Sequence, residues 1–375
     1  MKKQWIGLLA CLYACLAWQC TSKKKEETQT TKEESVTPSY TKEHVVPEKV
    51  SKIAFGSCGY QDEPQPILQL AAEQNPDVFV FLGDNIYGDT KNMDTLRNKY
   101  KRLGAKEEFK NLSQSAHILA TWDDHDYGWN DAGRHYPFKK ESKEIFLDFW
   151  KAPADDIRHQ REGIYTSTYF EAEGKTVQFI LLDLRTFRDD LRKYEGQEVD
   201  TTKFHYGLDY WPYETADSTL MGTGQWLWLE EQLSIPADLR IVCSSSQFGI
   251  TYNGYEAWAN FPHEQQKLLD LIQKTQANGV MFISGDVHYA ELSKLEREDN
   301  YPIYDLTSSG ITSKWDFATP NDNRIAGAIM ENHYGLIEID WNPEDPVIHL
   351  KIVDINKEVR IHEQIKLSEI HYDKL

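Results

Sequence analysis

Short apolar runs that end in acidic residues recur along this chain, and they constrain its fold more than any other feature. The clearest run is Val78–Leu82, five apolar residues followed directly by Gly83 and Asp84. A run of β-branched and aromatic residues without polar alternation is typical of a strand that is buried on both faces in a helix-covered sheet. Gly83 permits a sharp turn, so Asp84 is predicted at the carboxyl end of the strand, where open α/β sheets bind ligands.

Polar side chains follow five predicted strands in this way. They are Cys58, Asp84 with Tyr87, Asp123–Asp126 with Asn130, Ser245–Gln247, and Asp286 with His288. Because the carboxyl ends of strands joined by helical crossovers lie at one edge of a sheet, we expect these side chains to converge. Carboxylates that lie so close together repel one another unless cations separate them. The pattern therefore predicts a metal site.

The ligand types narrow the choice of metal. A single thiolate among carboxylates, a phenolate and an amide does not make a structural zinc site. Iron(III) accepts phenolate and carboxylate, and oxygen-rich positions suit calcium, magnesium or manganese. Two ions bridged by Asp84 would activate a water molecule for attack on a phosphate ester. A nearby histidine would protonate the leaving oxygen.

The chain carries a strong negative charge. Its 375 residues include 60 acidic and 41 basic side chains, which gives a formal net charge of −19. Such a charge opposes binding to the phosphate backbone of DNA or RNA. Nucleic acid is therefore not expected as a partner.

The amino terminus resembles an export signal. Met1–Gln4 carries positive charge and precedes the apolar segment Trp5–Trp18, which is too short to span a bilayer comfortably. Cys20 resembles the lipid-acceptor cysteine of bacterial lipoproteins, whereas Leu12–Cys15 fits the usual lipobox better but lies early. We expect an exported, membrane-anchored lipoprotein of the bacterial cell envelope, periplasmic or at the surface, rather than a freely secreted protein. The choice between Cys20 and Cys15 stays open.

A polar tether is predicted after the signal. Residues 21–48 are rich in Lys, Glu, Thr, Ser and Pro, a composition that does not form a packed core. The predicted organisation is a signal peptide over residues 1–20, a tether over residues 21–48 and one domain over residues 49–375. That domain contains only Cys58 and Cys243, so a disulfide framework is not expected.

Periodicity predicts the elements between the polar strand ends. Helices are expected over Pro66–Glu73, Met93–Leu112, Lys139–Trp150 and Phe261–Ala277, and another is expected to begin at Thr223. Antiparallel pairs are expected for Ile164–Phe170 with Val177–Leu184, and for Tyr334–Asp340 with Val347–Asp354. The segment Lys193–Gly224 lacks periodicity but is rich in aromatic residues. It is predicted to be either a lid or substrate wall, or a peripheral packing loop.

Six motifs in this order resemble those of one enzyme family. They are Phe55–Cys58, Gly83–Asp89, Trp122–Asp126, Ser245–Phe248, Ala259–Pro262 and Ser284–His288. The series is similar to that of the alkaline phosphatase D (PhoD-like) family of calcineurin-like metallophosphoesterases, and it spans about residues 51–310. The resemblance implies an α/β fold, a four-layer α/β/β/α sandwich with a mixed sheet.

The resemblance also implies roles for individual residues. It implies metal ligands at Cys58, Asp84, Tyr87 and Asp286, with iron(III) bound by the thiolate and phenolate and with calcium beside it. Manganese, magnesium and zinc stay open as substitutes. The remaining expectations are Asp124 as a ligand with a catalytic role, His125 as acid or phosphate contact, Asn130 as an amide ligand, and His288 as a ligand or its neighbour. Arg134, Arg185 and Arg188 are candidate phosphate contacts, with surface or core ion pairs as the alternative.

The implied activity is metal-dependent hydrolysis of small-molecule phosphate monoesters or diesters. One alternative is a metal-dependent lyase on the same scaffold. Another is a non-catalytic surface lipoprotein that binds glycans and uses calcium for stability, which the 11 Trp and 20 Tyr residues favour. That alternative leaves Cys58, Tyr87 and His288 without a role. The sequence does not indicate the natural substrate or the oligomeric state.

Overall fold

Two mixed β-sheets pack face to face between two layers of helices in the computed structural model, which describes residues 47–372. The predicted signal peptide, Cys15, Cys20 and nearly all of the predicted tether lie outside the described residues. Within residues 47–372, no helix combines the length and the apolar character needed to cross a bilayer.

The described residues contain 13 strands. In chain order they are β1 (Lys52–Gly56), β2 (Val78–Leu82), β3 (His117–Thr121), β4 (Thr166–Ala172), β5 (Lys175–Leu181), β6 (Leu239–Ser244), β7 (Val280–Ser284), β8 (Ala290–Leu295), β9 (Ile303–Ser308), β10 (Arg324–Ile329), β11 (His333–Asp340), β12 (Val347–Asp354) and β13 (Val359–Lys366).

The strands form one sheet of six and one of seven. The first sheet has the order β13-β12-β11-β1-β2-β3, and the second has the order β10-β8-β9-β7-β6-β5-β4. Parallel pairing joins β1, β2 and β3 in the first sheet, and β5, β6, β7 and β9 in the second. The other pairs are antiparallel, including the two that the sequence predicts, β4 with β5 and β11 with β12.

Within residues 47–372, seven α-helices connect or cover these strands. They are α1 (Pro66–Glu73), α2 (Met93–Ala105), α3 (Glu107–Ser115), α4 (Asp124–Tyr127), α5 (Lys139–Phe149), α6 (Gly222–Ser234) and α7 (Pro262–Thr275). The helix predicted over Met93–Leu112 is in fact two helices. Lys106 breaks it because its backbone is extended, with φ −67° and ψ 137°.

The strand β2 is buried on both faces, as its composition predicts. Phe79 and Phe81 pack in the cluster that includes α1, α2, α3 and α5. Val78, Val80 and Leu82 pack in the cluster shared with the second sheet and with α6 and α7. The alternation of side chains along a strand therefore places one helical layer outside each sheet and an apolar layer between the sheets.

One topological expectation is wrong. The polar strand ends do not belong to one sheet, because β1, β2 and β3 lie in the first sheet whereas β6 and β7 lie in the second. The site is therefore assembled across the interface of two packed sheets. The strands β8, β9, β10 and β13 were not predicted.

Candidate metal centre

A buried cysteine and aspartate from neighbouring strands form the floor of the centre. Cys58 follows β1 and Asp84 follows β2, and both are at most 1% exposed. The Cys58 Sγ atom lies 3.5 Å from Oδ2 of Asp84. His288, after β7 of the second sheet, completes a group whose ligand atoms lie within 4.8 Å of one another. The structure thus brings together residues that follow strands of both sheets.

Two further groups extend this first one. Asp84, Asp124 and His125 have ligand atoms within 4.8 Å of one another, and so do Asp124, Asp131 and Glu256. Asp84 is shared by the first and second groups, and Asp124 is shared by the second and third. The three groups are therefore continuous.

Tyr87 lies next to the first group, in contact with His288. Its hydroxyl is 3.3 Å from Nε2 of His288 and 3.0 Å from Oγ of Ser313. Its ring centroid is 4.4 Å from that of His125. Tyr87 therefore contacts both histidines of the centre.

The backbone around the centre is strained. Cys58, Asp84, Asp286 and His288 all have positive φ angles, of 61°, 49°, 80° and 56° respectively. Residues other than glycine adopt this region rarely, and each such residue typically costs about 1–3 kcal/mol. Strain is often held at functional sites, where the surrounding fold keeps side chains in a required position.

Two glycines allow the strand ends to approach closely. Gly83 has φ +100°, and a Cβ atom there would lie 2.5 Å from Cβ of Asp123. A Cβ atom on Gly285 would lie 2.6 Å from Oγ of Ser57. Any larger residue at either position would push the ends of neighbouring strands apart.

The buried acids carry an unfavourable concentration of negative charge. Burial, followed by Cys58 and Asp124, raises the pKa of Asp84 well above its usual value. Burial, only partly offset by Arg185, raises the pKa of Asp123 to about 7. Burial also raises the pKa of the Cys58 thiol to about 12. In the absence of cations these groups resist ionisation.

The donor atoms of the centre fit metal ions. Among the described residues, Oδ1 of Asp84 and Oδ2 of Asp123 are buried and accept no hydrogen bond. A buried polar atom without a partner is costly, and a bound cation removes that cost. The carboxylate oxygens suit hard ions, and the thiolate of Cys58 is the one soft ligand of the centre.

The two histidines differ in charge at neutral pH. Burial works against protonation of His125, but the hydrogen bond with Asp89 and the charge of Asp124 outweigh it and raise the pKa to about 9. Burial, followed by His125, lowers the pKa of His288 to about 4. At pH 7 His125 is therefore a proton donor, whereas His288 is neutral, the form that binds metals.

Arg185 is a buried ion-pair residue, the alternative that the sequence left open. Its side chain is 0% exposed, and Nε donates to Oδ1 of Asp123 at 2.6 Å. Nη1 donates to both carboxylate oxygens of Glu256, at 2.8 and 2.7 Å. The guanidinium therefore holds two acidic loops together and does not lie open to a substrate.

Of the three remaining candidates, Arg134 and Asn130 are exposed, whereas Asp286 is partly buried. Arg134 is exposed and donates to Asp189 at 2.6 Å, again as an ion pair. The predicted amide ligand, Asn130, is also exposed, and its Nδ2 donates to Asp131 at 2.7 Å. The neighbouring Asp131 belongs to the third group, with Asp124 and Glu256. Asp286 joins none of them, although its carbonyl oxygen lies 3.5 Å from Sγ of Cys58.

Comparison with known proteins identifies the family. The sequence model of the PhoD-like phosphatase family matches residues 53–334, most of the chain. This chain belongs to the PhoD-like phosphatase family. All six motifs and all three groups of potential ligands lie within the matched residues.

Individual PhoD-like relatives agree with this assignment. Alkaline phosphatase D of Bacillus subtilis (strain 168) is 23% identical over 297 residues, which cover 69% of this chain and 48% of that protein. The chain thus spans about half the length of this curated relative.

Solved structures support the fold. A structure of PhoD matches with a TM-score of 0.66 and 16% identity, over 85% of this chain and 69% of that chain. The purple acid phosphatase PPD1 from yellow lupin (Lupinus luteus) matches with a TM-score of 0.54 and 12% identity, over 86% of this chain and 55% of that chain. The α/β sandwich predicted from the PhoD-like motifs is confirmed.

Sequence reasoning missed several residues of this PhoD-like centre. Ser309 lies 3.2 Å from Sγ of Cys58 and directly follows β9, so the polar stretch Thr307–Gly310 at the end of this strand was an available signal. Asp131 is adjacent to a predicted ligand. Glu256 follows no strand directly, and nothing in its local sequence distinguishes it from a surface acid.

Proposed function

We propose that this chain hydrolyses phosphate esters of small molecules, as a phosphomonoesterase or phosphodiesterase that uses bound metal ions. The observation that carries the proposal is the continuity of the three groups through Asp84 and Asp124. Adjacent ion sites that share a carboxylate suit the attacking and leaving oxygens of a phosphate ester. Membership of the PhoD-like phosphatase family supports the same reaction class.

Each ion would have its own set of ligands. Cys58, Asp84, Tyr87 and His288 would hold iron(III), because they combine a thiolate, a carboxylate, a phenolate and a neutral imidazole. Asp84 and Asp124 would hold calcium or another divalent ion through oxygen atoms. Bound there, the ions would polarise the phosphoryl group and provide the nucleophilic water.

His125 would supply the proton to the leaving group. Its Nδ1 is 2.7 Å from Oδ1 of Asp89, which orients the ring. The side chain is 16% exposed, so a bound substrate can reach it. A protonated imidazole held by a carboxylate is suited to general acid catalysis at neutral pH.

Arg185 would act on the reaction only through other residues. It neutralises Asp123 and Glu256 from the buried side and keeps Asp124 nearby, with Nη2 at 3.7 Å from Oδ1. In this way the guanidinium keeps three acids together without competing for the substrate phosphate.

Turnover assays test the proposed function. Metal-replete protein is expected to release nitrophenol from 4-nitrophenyl phosphate, bis(4-nitrophenyl) phosphate or both, and a chelator is expected to abolish the release. Failure of metal-replete protein to turn over either ester would contradict the proposal and favour the glycan-binding alternative. Release that is unaffected by chelator would contradict the role of the metal.

Tyr87→Phe tests the iron ligand. Burial, followed by Cys58 and Asp84, raises the pKa of Tyr87 well above its usual value, so the phenol ionises at pH 7 only against a bound cation. Native iron-loaded protein should show a visible phenolate-to-iron absorption band, and the variant should lose it while still folding. An iron-loaded but colourless native protein would contradict Tyr87 as a ligand. Tyr60→Phe is the matched control, since Tyr60 is a ring neighbour of Tyr87.

A further inference from the structure

Four aromatic side chains form a closed cluster beside the candidate metal centre. The aromatic cluster consists of Tyr206, Tyr255, Trp315 and Phe317. Neighbouring ring centroids are 5.4 Å apart for Tyr206 and Tyr255, 5.2 Å for Tyr255 and Trp315, 5.4 Å for Trp315 and Phe317, and 5.1 Å for Phe317 and Tyr206. Each ring is therefore in contact with two others of the cluster.

The aromatic cluster is not part of a hydrophobic core. Among the described residues, none of its four members belongs to the two large core clusters or packs against them. All four side chains are half-buried. Adjoining apolar rings that stay partly exposed in a highly charged chain are typical of a binding surface.

Backbone contacts attach the aromatic cluster to the metal centre. The Trp315 N–H donates to the carbonyl oxygen of His288 at 3.1 Å, and the two rings have centroids 5.5 Å apart. Two residues earlier, Ser313 contacts the hydroxyl of Tyr87. On the other side, Tyr255 directly precedes Glu256 of the third acidic group. The aromatic cluster therefore borders the metal centre at two separate points, beside His288 and beside Glu256.

The chemistry of the aromatic cluster complements that of the metal centre. The hydroxyl of Tyr206 donates to the carbonyl oxygen of Asn253 at 2.7 Å, so its ring is held in place. Burial is the first cause that raises the pKa of Tyr206 and of Tyr255, and both phenols are therefore neutral at pH 7. An uncharged apolar surface does not attract a phosphate group, but it stacks well against a flat ring.

We propose that the aromatic cluster is the leaving-group subsite of this enzyme and binds the ring of a ring-bearing phosphate ester. The inference rests on the proposed hydrolase function and adds a substrate class to it. With the phosphate among Asp84, Asp124 and His288, the organic group would lie against Trp315 and Tyr255. Stacking on interlocked rings orders the substrate at low entropic cost, because these rings are already fixed by one another.

Two kinds of compound carry such a ring: aryl phosphates, whose ring is flat, and sugar phosphates, whose ring presents an apolar C–H face. The segment Lys193–Gly224 contributes Tyr206, so in this proposal part of the segment would form a substrate wall, one of its two predicted roles. Glycerol phosphate carries the same reactive group without a ring, and it therefore separates the subsite from the chemistry.

The test compares ring-bearing and acyclic substrates in Tyr255→Ala and Trp315→Ala. The measured quantity is the ratio of kcat/KM for phenyl phosphate, or for glucose 6-phosphate, to kcat/KM for glycerol 3-phosphate. We expect this ratio to fall about tenfold in each variant, mainly through KM, as for the loss of one stacking contact. Tyr169→Ala is the control, because Tyr169 is 38% exposed on β4 and lies outside the aromatic cluster. That control should leave the ratio unchanged.

The outcomes separate the two proposals. A lower ratio for only phenyl phosphate or only glucose 6-phosphate supports the subsite and shows which ring it takes. An equal loss with ring-bearing and acyclic esters, or an unchanged ratio for both rings, would overturn the subsite while leaving the hydrolase function intact. No turnover of any ester by the metal-replete native chain would instead remove the hydrolase function, and the subsite with it.

Discussion

Asp84→Asn is expected to lower kcat/KM for phosphate esters by about a thousandfold or more. Asp84 is the residue shared by the first and second groups, and its side chain is 1% exposed. An amide has nearly the same size but carries no charge and offers one oxygen in place of two, so it cannot bridge two cations. Loss of groups that stabilise the transition state directly costs factors of this order. Initial rates with 4-nitrophenyl phosphate in the presence of added metal measure the effect.

The same substitution at an exposed position provides the control. Asp148, with a side chain that is 81% exposed, can be changed to Asn with little effect on rate or stability. In metal-free protein, Asp84→Asn should not lower the melting temperature, because burial, Cys58 and Asp124 already disfavour the ionised carboxylate and the amide has nearly the same size. Retained activity of Asp84→Asn, or its failure to fold without metal, would contradict the shared-ligand role.

Arg185→Met is expected to lower the free energy of unfolding by about 3–5 kcal/mol. The guanidinium is 0% exposed and is paired with Asp123 and Glu256. Methionine fills a similar volume but leaves both carboxylates buried without their cation, which is the costly way to break a buried ion pair. Urea denaturation, followed by fluorescence or circular dichroism, measures the change.

Arg134→Met is the matched control for this prediction. Arg134 pairs with Asp189 on the surface, where removal of one partner typically changes stability by less than about 1 kcal/mol. If Arg185→Met left stability unchanged and only raised KM, Arg185 would be a substrate contact, as the phosphate-contact hypothesis holds. Equal effects of the two substitutions would also contradict the structural role.

The sequence predicts the centre well where a residue directly follows a strand. Cys58, Asp84 and His288 were recognisable because an apolar run, a turn and a polar group occur in succession, and a turn leaves the polar side chain at the strand end. The flanking glycines were visible for the same reason. Gly83 and Gly285 stand where any Cβ atom would collide with a neighbouring strand end.

What could not be predicted depends on contacts between distant parts of the chain. No local pattern indicates that β6 and β7 pair in a different sheet from β1 and β2, because the choice depends on which strands pair. Glu256 lies in the centre because the fold brings it to Asp124, Asp131 and Arg185, the last of which is 71 residues away along the chain. The aromatic cluster likewise joins Tyr206 with rings from two other loops, so composition indicated aromatic richness but not position.

Metal analysis of protein purified without chelators is the most direct measurement. If Cys58, Asp84, Asp124 and their neighbours form an ion-binding centre, the native chain should contain about two or more equivalents of metal, with iron among them. Asp84→Asn should contain less metal than the native chain, whereas Asp148→Asn should contain as much. A native chain that is folded, active on phosphate esters and free of bound metal would contradict the metal centre.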